Sequence, residues 1–191
     1  DTTSGEVLWE RSDTISITLP AIDAGKVYLG TSDSGFTTGT LLALDLQTGE
    51  PLWEAEGHGD TQGSSPVLYD DLVILGSHTA GTVAAYDATT GELVWNHFVG
   101  SAVTSSVAVT TSGVVLGASQ NWGVYALDAS TGERLWEDQM PAPVLASTAV
   151  SDDAALFLSR DGTLAAYRSA GAVGGTVTGP EGPVGAAVEL V

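Results

Sequence analysis

Three times the same eleven-residue phrase returns in this 191-residue chain: Ala43-Leu-Asp45-Leu-Gln-Thr48-Gly49-Glu50-Pro-Leu-Trp53, Ala85-Tyr-Asp87-Ala-Thr-Thr90-Gly91-Glu92-Leu-Val-Trp95 and Ala126-Leu-Asp128-Ala-Ser-Thr131-Gly132-Glu133-Arg-Leu-Trp136. The tryptophans stand 42 and then 41 residues apart, and a shortened copy, Ser4-Gly5-Glu6-Val-Leu-Trp9, lies 44 residues ahead of Trp53. A period of that length built from short apolar runs predicts an all-β chain of β-propeller blades. Each repeat is then a blade of four strands and not a domain of its own.

The second unit shows the plan. Residues 65–69 read as an inner strand and Asp70-Asp71 as a turn; 72–76, near-continuously apolar, form a strand covered on both faces. Residues 82–87 form a third strand, 88–91 a turn and 92–95 an outer strand. Units one and three run the same way. Unit four supplies strands at 147–150, 154–158 and 162–167 but then decays: Arg168 stands where aspartate is expected, and no Thr-Gly or tryptophan follows. The count is three full blades, one partial blade and a spare outer strand at 6–10. That strand either completes unit four and closes a four-bladed ring, or belongs to a larger ring of which this is a segment. The second is the expectation here.

The motif residues have mechanical roles. Asp45, Asp87 and Asp128 are placed to accept turn N–H groups two residues on. Gly49, Gly91 and Gly132 supply the positive φ that a tight turn needs. Trp53, Trp95 and Trp136 each offer a large apolar surface and one N–H, suited to latching neighbouring blades.

This phrase resembles the quinoprotein (PQQ-like) propeller repeat, Ala-x-Asp-x-x-Thr-Gly-x-x-x-Trp, over about residues 1–169. The resemblance implies four-stranded, tryptophan-docked blades. It embraces dehydrogenases that hold pyrroloquinoline quinone with calcium, and also non-enzymes such as outer-membrane assembly lipoproteins and cell-surface sensor domains. Residues 170–191, with Gly174-Gly-Thr-Val-Thr-Gly-Pro-Glu-Gly-Pro-Val-Gly-Ala-Ala-Val-Glu-Leu190, resemble instead the opening strands of a carboxypeptidase-regulatory-like β-sandwich.

Charge restricts the partners. Twenty-four acidic residues face five basic ones, for a net charge of −19, and Lys26 is the one lysine. Nucleic-acid binding requires the opposite sign, because phosphate contacts dominate its affinity. The plain reading is an acidic surface. The sharper one is adaptation to concentrated salt, where screening over roughly 3 Å at 1 M relieves self-repulsion. No 18-residue apolar run predicts a membrane span, and the chain has no cysteine for disulfide, thiolate or metal chemistry.

Candidate contact residues lie on loops. The connection between the second and third strands of unit one is four residues longer than its equivalents and carries Asp33. His58 and His78 could converge with Asp60 in a crude metal or proton-transfer cluster, against the plain reading of scattered loop histidines. Asn121 and Trp122 form the most distinctive loop: Trp122 is the one tryptophan outside an outer strand, free either to stack on a ligand or partner or to pack on the next blade. Arg160 occupies the matching loop of unit four. No catalytic residue and no cofactor are expected. The leading expectation is a non-catalytic, extracytoplasmic scaffold, on the cell surface or secreted, that binds protein or cell-envelope components in a salt-adapted organism. The alternatives are a segment of a quinone- and calcium-dependent dehydrogenase, and a structural subunit of a surface assembly that self-associates through strand edges.

Overall fold

Strands alternate with tight turns because each apolar run is ended by a residue that turns the backbone. Asp45 Oδ1 accepts hydrogen bonds from the N–H groups of Gln47 (2.9 Å) and Thr48 (2.8 Å), and Gly49 follows at φ +72°. Asp87 and Asp128 repeat these bonds at 2.7–2.9 Å. The computed structural model describes residues 3–12, 16, 18–57, 59–151 and 153–169, and the short segments 178–179, 182–183 and 189–190.

Blade 1 contains β1 (Ala21–Asp23), β2 (Lys26–Gly30), β3 (Leu41–Asp45) and β4 (Pro51–Ala55). Blade 2 contains β5 (Val67–Tyr69), β6 (Leu72–Gly76), β7 (Thr82–Asp87) and β8 (Leu93–Phe98). Blade 3 contains β9 (Ala108–Val109), β10 (Val114–Ala118), β11 (Gly123–Asp128) and β12 (Arg134–Gln139). Each is an antiparallel meander in chain order. In blade 4, β13 (Ala149–Val150), β14 (Ala154–Leu158) and β15 (Leu164–Ser169) form the meander. Strands β16 (Thr178–Gly179) and β17 (Gly182–Pro183) pair with each other, and β18 (Glu189–Leu190) lies parallel to β15 at Arg168 and Ser169 alone. The rest of the sandwich module expected at 170–191 lies outside the described residues.

The inner strand of unit two is shorter than its sequence pattern, and the outer strands of blades 2 and 3 run three residues beyond their tryptophans. The outer strands pair with the third strands through one bulge each, at Ala43/Leu44, Ala85/Tyr86 and Ala126/Leu127.

The core lies between blades. Tyr28, Leu41 and Ala43 of blade 1 pack on Val73, Leu75 and Tyr86 of blade 2. Ile74, Val83 and Ala85 then pack on Val115, Tyr125 and Leu127, and Leu116, Val124 and Ala126 on Ala155, Phe157 and Tyr167. Because the sheets of blades 2 and 3 are covered on both faces, their middle strands read as unbroken apolar runs.

The tryptophans bolt this stack together. Nε1 of Trp9 donates to Leu46 O (2.9 Å), that of Trp53 to Ala88 O (3.2 Å) and that of Trp95 to Ala129 O (2.8 Å). Each acceptor is the residue just after the motif aspartate of the next blade. The three indoles lie against Gly49, Gly91 and Gly132, so closely that an added Cβ would stand 2.6 Å from a ring carbon. Trp136 has no such socket among the described residues. Its Nε1 is buried without a partner, and its ring stacks on Tyr167 at 5.1 Å.

The described strands do not close a ring. Residues 5–12 carry no strand, so the outer strand expected at 6–10 pairs with none of β13–β15, although Trp9 docks on blade 1 as an outer-strand tryptophan does.

Candidate functional site

In an antiparallel four-stranded meander, the turns between strands one and two and between three and four lie at one end. The connections between strands two and three, and those from blade to blade, collect at the other. The motif aspartates occupy the first end as turn caps. Hydrogen bonds from Thr48 and Gln47 hold the Asp45 carboxyl below its ordinary 3.8, and those from Thr90 and Thr89 do the same for Asp87. Stabilised as anions and engaged with backbone, these acids are caps and not proton donors.

The other end carries the candidate residues. Asp33 closes its long loop from within: Oδ1 accepts from Thr37 N (2.7 Å) and Thr38 N (3.3 Å), and Oδ2 from Thr37 Oγ1 (2.7 Å). These bonds lower its carboxyl below the ordinary value. The large apolar side chain that this exposed loop offers to solvent is Phe36, 41% exposed at φ +54°. Sequence reasoning passed over Phe36, since nothing in the sequence marks a bulky residue for positive φ.

Trp122 repeats the arrangement in blade 3. It is 49% exposed at φ +75°, held by its N–H to Ser119 O (3.2 Å) and by its carbonyl, which accepts from Met140 N (2.9 Å). It does not bury itself against the next blade. Beneath it, Asn121 Oδ1 meets Ser119 Oγ (2.6 Å) and Gly123 N (3.4 Å). Blade 4 builds the same turn from Ser159, Asp161 and Thr163, and there the positive-φ position is Gly162, at +92°. Left-handed backbone costs a non-glycine residue roughly 1–2 kcal/mol, so two exposed aromatics hold conformations that glycine would adopt without strain. Arg160 is exposed beside this turn and donates its N–H to Pro143 O (2.8 Å).

His78 and Asp60 do come together; His58 lies outside the described residues. Asp60 is fully buried, and its Oδ1 accepts from Ser32 Oγ and from Gln62 N (3.2 Å). Its Oδ2 stands 3.8 Å from His78 Nδ1, and neither atom has a hydrogen-bond partner. Thr79 Oγ1 accepts from Asp60 N (2.9 Å), and Asp60 O accepts from His78 N (2.7 Å). The serine reaches the aspartate and not the histidine, so the order is wrong for a nucleophile activated by a base. The cluster staples the loops of blades 1 and 2 through the linker between them.

A cleft of about 250 Å³ lies between β8 and β12, with His97, Asn121 and Gln139 on its walls. Burial and nearby Arg134 hold His97 below its ordinary 6.5. Among the described residues no three His, Asp or Glu side chains converge where a metal ion could be held, and no helix is long and apolar enough to cross a membrane.

A family model described as outer membrane protein assembly factor BamB matches residues 1–106 and 79–173. No curated protein sequence matches the chain at a significant level. Among solved structures, BamB from Moraxella catarrhalis is similar at 22% identity and TM-score 0.69, over 83% of this chain and 48% of that one. The computationally designed Ika4 protein is similar at 21% identity and TM-score 0.71, over 86% and 98%. A europium-containing methanol dehydrogenase is similar at 18% identity and TM-score 0.54, over 65% and 24%. At these identities the likeness is one of fold, and the chain spans about half the length of the BamB structure.

Proposed function

The chain belongs to the family described as outer membrane protein assembly factor BamB, and from that premise we propose that it is a non-catalytic, extracytoplasmic scaffold that binds protein or cell-envelope partners on its loop-bearing end. One observation carries this reading: Phe36 and Trp122 are both exposed, and both are fixed at positive φ on loops of that end. Strained, solvent-facing aromatics give rigid contact area at small entropic cost, the character of interface anchors. The acidic candidates there, Asp33 and Asp60, are already engaged in holding loops. The charge of −19 with a single lysine supports a salt-rich setting.

The test places a photo-crosslinking amino acid at Trp122 in cells of the source organism. A defined set of envelope proteins should be captured, and Phe36→Ser should reduce their capture. Capture equal to that from a probe at exposed Glu92, on the opposite end, would contradict the reading. The methanol dehydrogenase likeness keeps one alternative in view, a segment of a quinone-dependent enzyme; a bound quinone would announce itself by absorbance where tryptophan has none.

A further inference from the structure

The cleft between β8 and β12 has a wall chemistry that holding blades together does not use. Side chains alternate between the two faces of a strand. Trp95 points to blade 3, where it bonds Ala129 O, and His97, two residues on, points the same way. Trp136 stacks on Tyr167 of blade 4, so Glu137 and Gln139 point back toward blade 2 and into the cleft. The Asp138 carboxylate leaves on the other face, its Oδ2 accepting from Tyr167 Oη (3.1 Å).

This wall is close to neutral in a chain of net charge −19, because Arg134 pairs with Glu137. An anion finds no free positive charge there, and the field of the whole chain repels it. The polar groups come as donors and acceptors together. Asn121 Oδ1 is occupied by Ser119 Oγ (2.6 Å) and Gly123 N (3.4 Å), which leaves the amide nitrogen to donate. That nitrogen lies over Gly100, where an added Cβ would stand 3.0 Å from Nδ2. Gln139 brings a second amide. Burial and Arg134 hold His97 below its ordinary 6.5; one ring N–H donates to the Gly132 carbonyl, and the other nitrogen of the neutral ring is an acceptor. Trp122, 49% exposed, stands in the chain between the wall residues Asn121 and Gly123. At about 250 Å³ the cleft falls just below the usual range of about 300–1,000 Å³ for small-molecule sites. That is room for one ring and not for a folded segment.

We propose that this cleft binds one sugar ring of a neutral glycan, with hydroxyls bonded by Asn121, Gln139 and His97 and the apolar face of the ring laid on Trp122. A hydroxyl donates and accepts at one oxygen, which a mixed, uncharged wall matches. The inference rests on the scaffold reading, and gives its loop-bearing end an envelope partner of stated chemistry.

The test titrates the full chain in molar salt with neutral hexasaccharides of glucose, mannose, galactose and N-acetylglucosamine, read by calorimetry and tryptophan fluorescence. The hexamer of galacturonate is the anionic control. At least one neutral hexasaccharide should bind saturably, and the anionic one should not. Gln139→Ala should weaken that binding up to about tenfold, the loss of one hydrogen bond. Trp122→Gly should weaken it too and remove the fluorescence change. Phe36→Ser, in blade 1, should leave it unchanged. Thermal melts matched to the parent certify that each variant is folded. No binding by any neutral hexasaccharide, binding unchanged in Trp122→Gly or Gln139→Ala, or equal binding of the anionic hexamer would overturn the proposal. Proteins captured at Trp122 with no glycan bound would overturn this inference alone and leave the scaffold reading standing.

Discussion

Trp122 occupies a turn position that blade 4 gives to Gly162, and that substitution separates structure from surface. Trp122→Gly should leave stability unchanged or raise it by up to about 1 kcal/mol, as relief of left-handed strain offsets the added freedom of the unfolded chain. Denaturant melts would check this; a loss above about 2 kcal/mol would make Trp122 a packing residue. Trp95→Ala, by contrast, should cost about 3–5 kcal/mol, the range for emptying a buried aromatic site, because its indole fills a socket and bonds Ala129 O. Trp136→Ala should cost less, its Nε1 having no partner to lose. The three full repeats made the tryptophan latch legible in the sequence, but the glycines were legible only as turn residues and not as the floor beneath each indole. The carbonyl that receives each indole N–H was not legible, since any residue supplies one. Phe36 was missed for a related reason: strain at a bulky residue is imposed by its loop and leaves no mark in composition.

At the scale of the element, the turns between third and outer strands carry a pH dependence with a definite sign. The Asp45 and Asp87 carboxyls are held below their ordinary value by turn hydrogen bonds. A depressed folded value means that these groups contribute stability above the unfolded value, near 4, and that the contribution is lost as pH falls through the folded one. Asp45→Asn/Asp87→Asn keeps an acceptor in each turn and removes the titration. Its melting temperature should fall less than the parent's between pH 5 and pH 2; equal falls would assign the acid sensitivity elsewhere. The blade meander itself was legible because second and third strands, covered on both faces, read as unbroken apolar runs. The exposure of Leu164 and Ala166 in blade 4 was not: in sequence they look just like their buried counterparts Val124 and Ala126. Residue type records what can be buried, not what covers it.

For the whole molecule, charge and closure were read with unequal success. The repeat count pointed to strands that leave a ring open, as the described strands do, but the outer strand expected at 6–10 does not form. A net charge of −19 predicts that melting temperature rises from low salt to molar concentrations as self-repulsion is screened; a flat or falling trend would remove the salt-adapted reading. The central claim is that this is a binding scaffold and not an enzyme. Calorimetric titration with pyrroloquinoline quinone and calcium tests it most directly, on the full chain in molar salt. The account predicts no saturable heat and no dye reduction with alcohol or sugar substrates. Stoichiometric, calcium-dependent quinone binding with substrate-dependent reduction would contradict it.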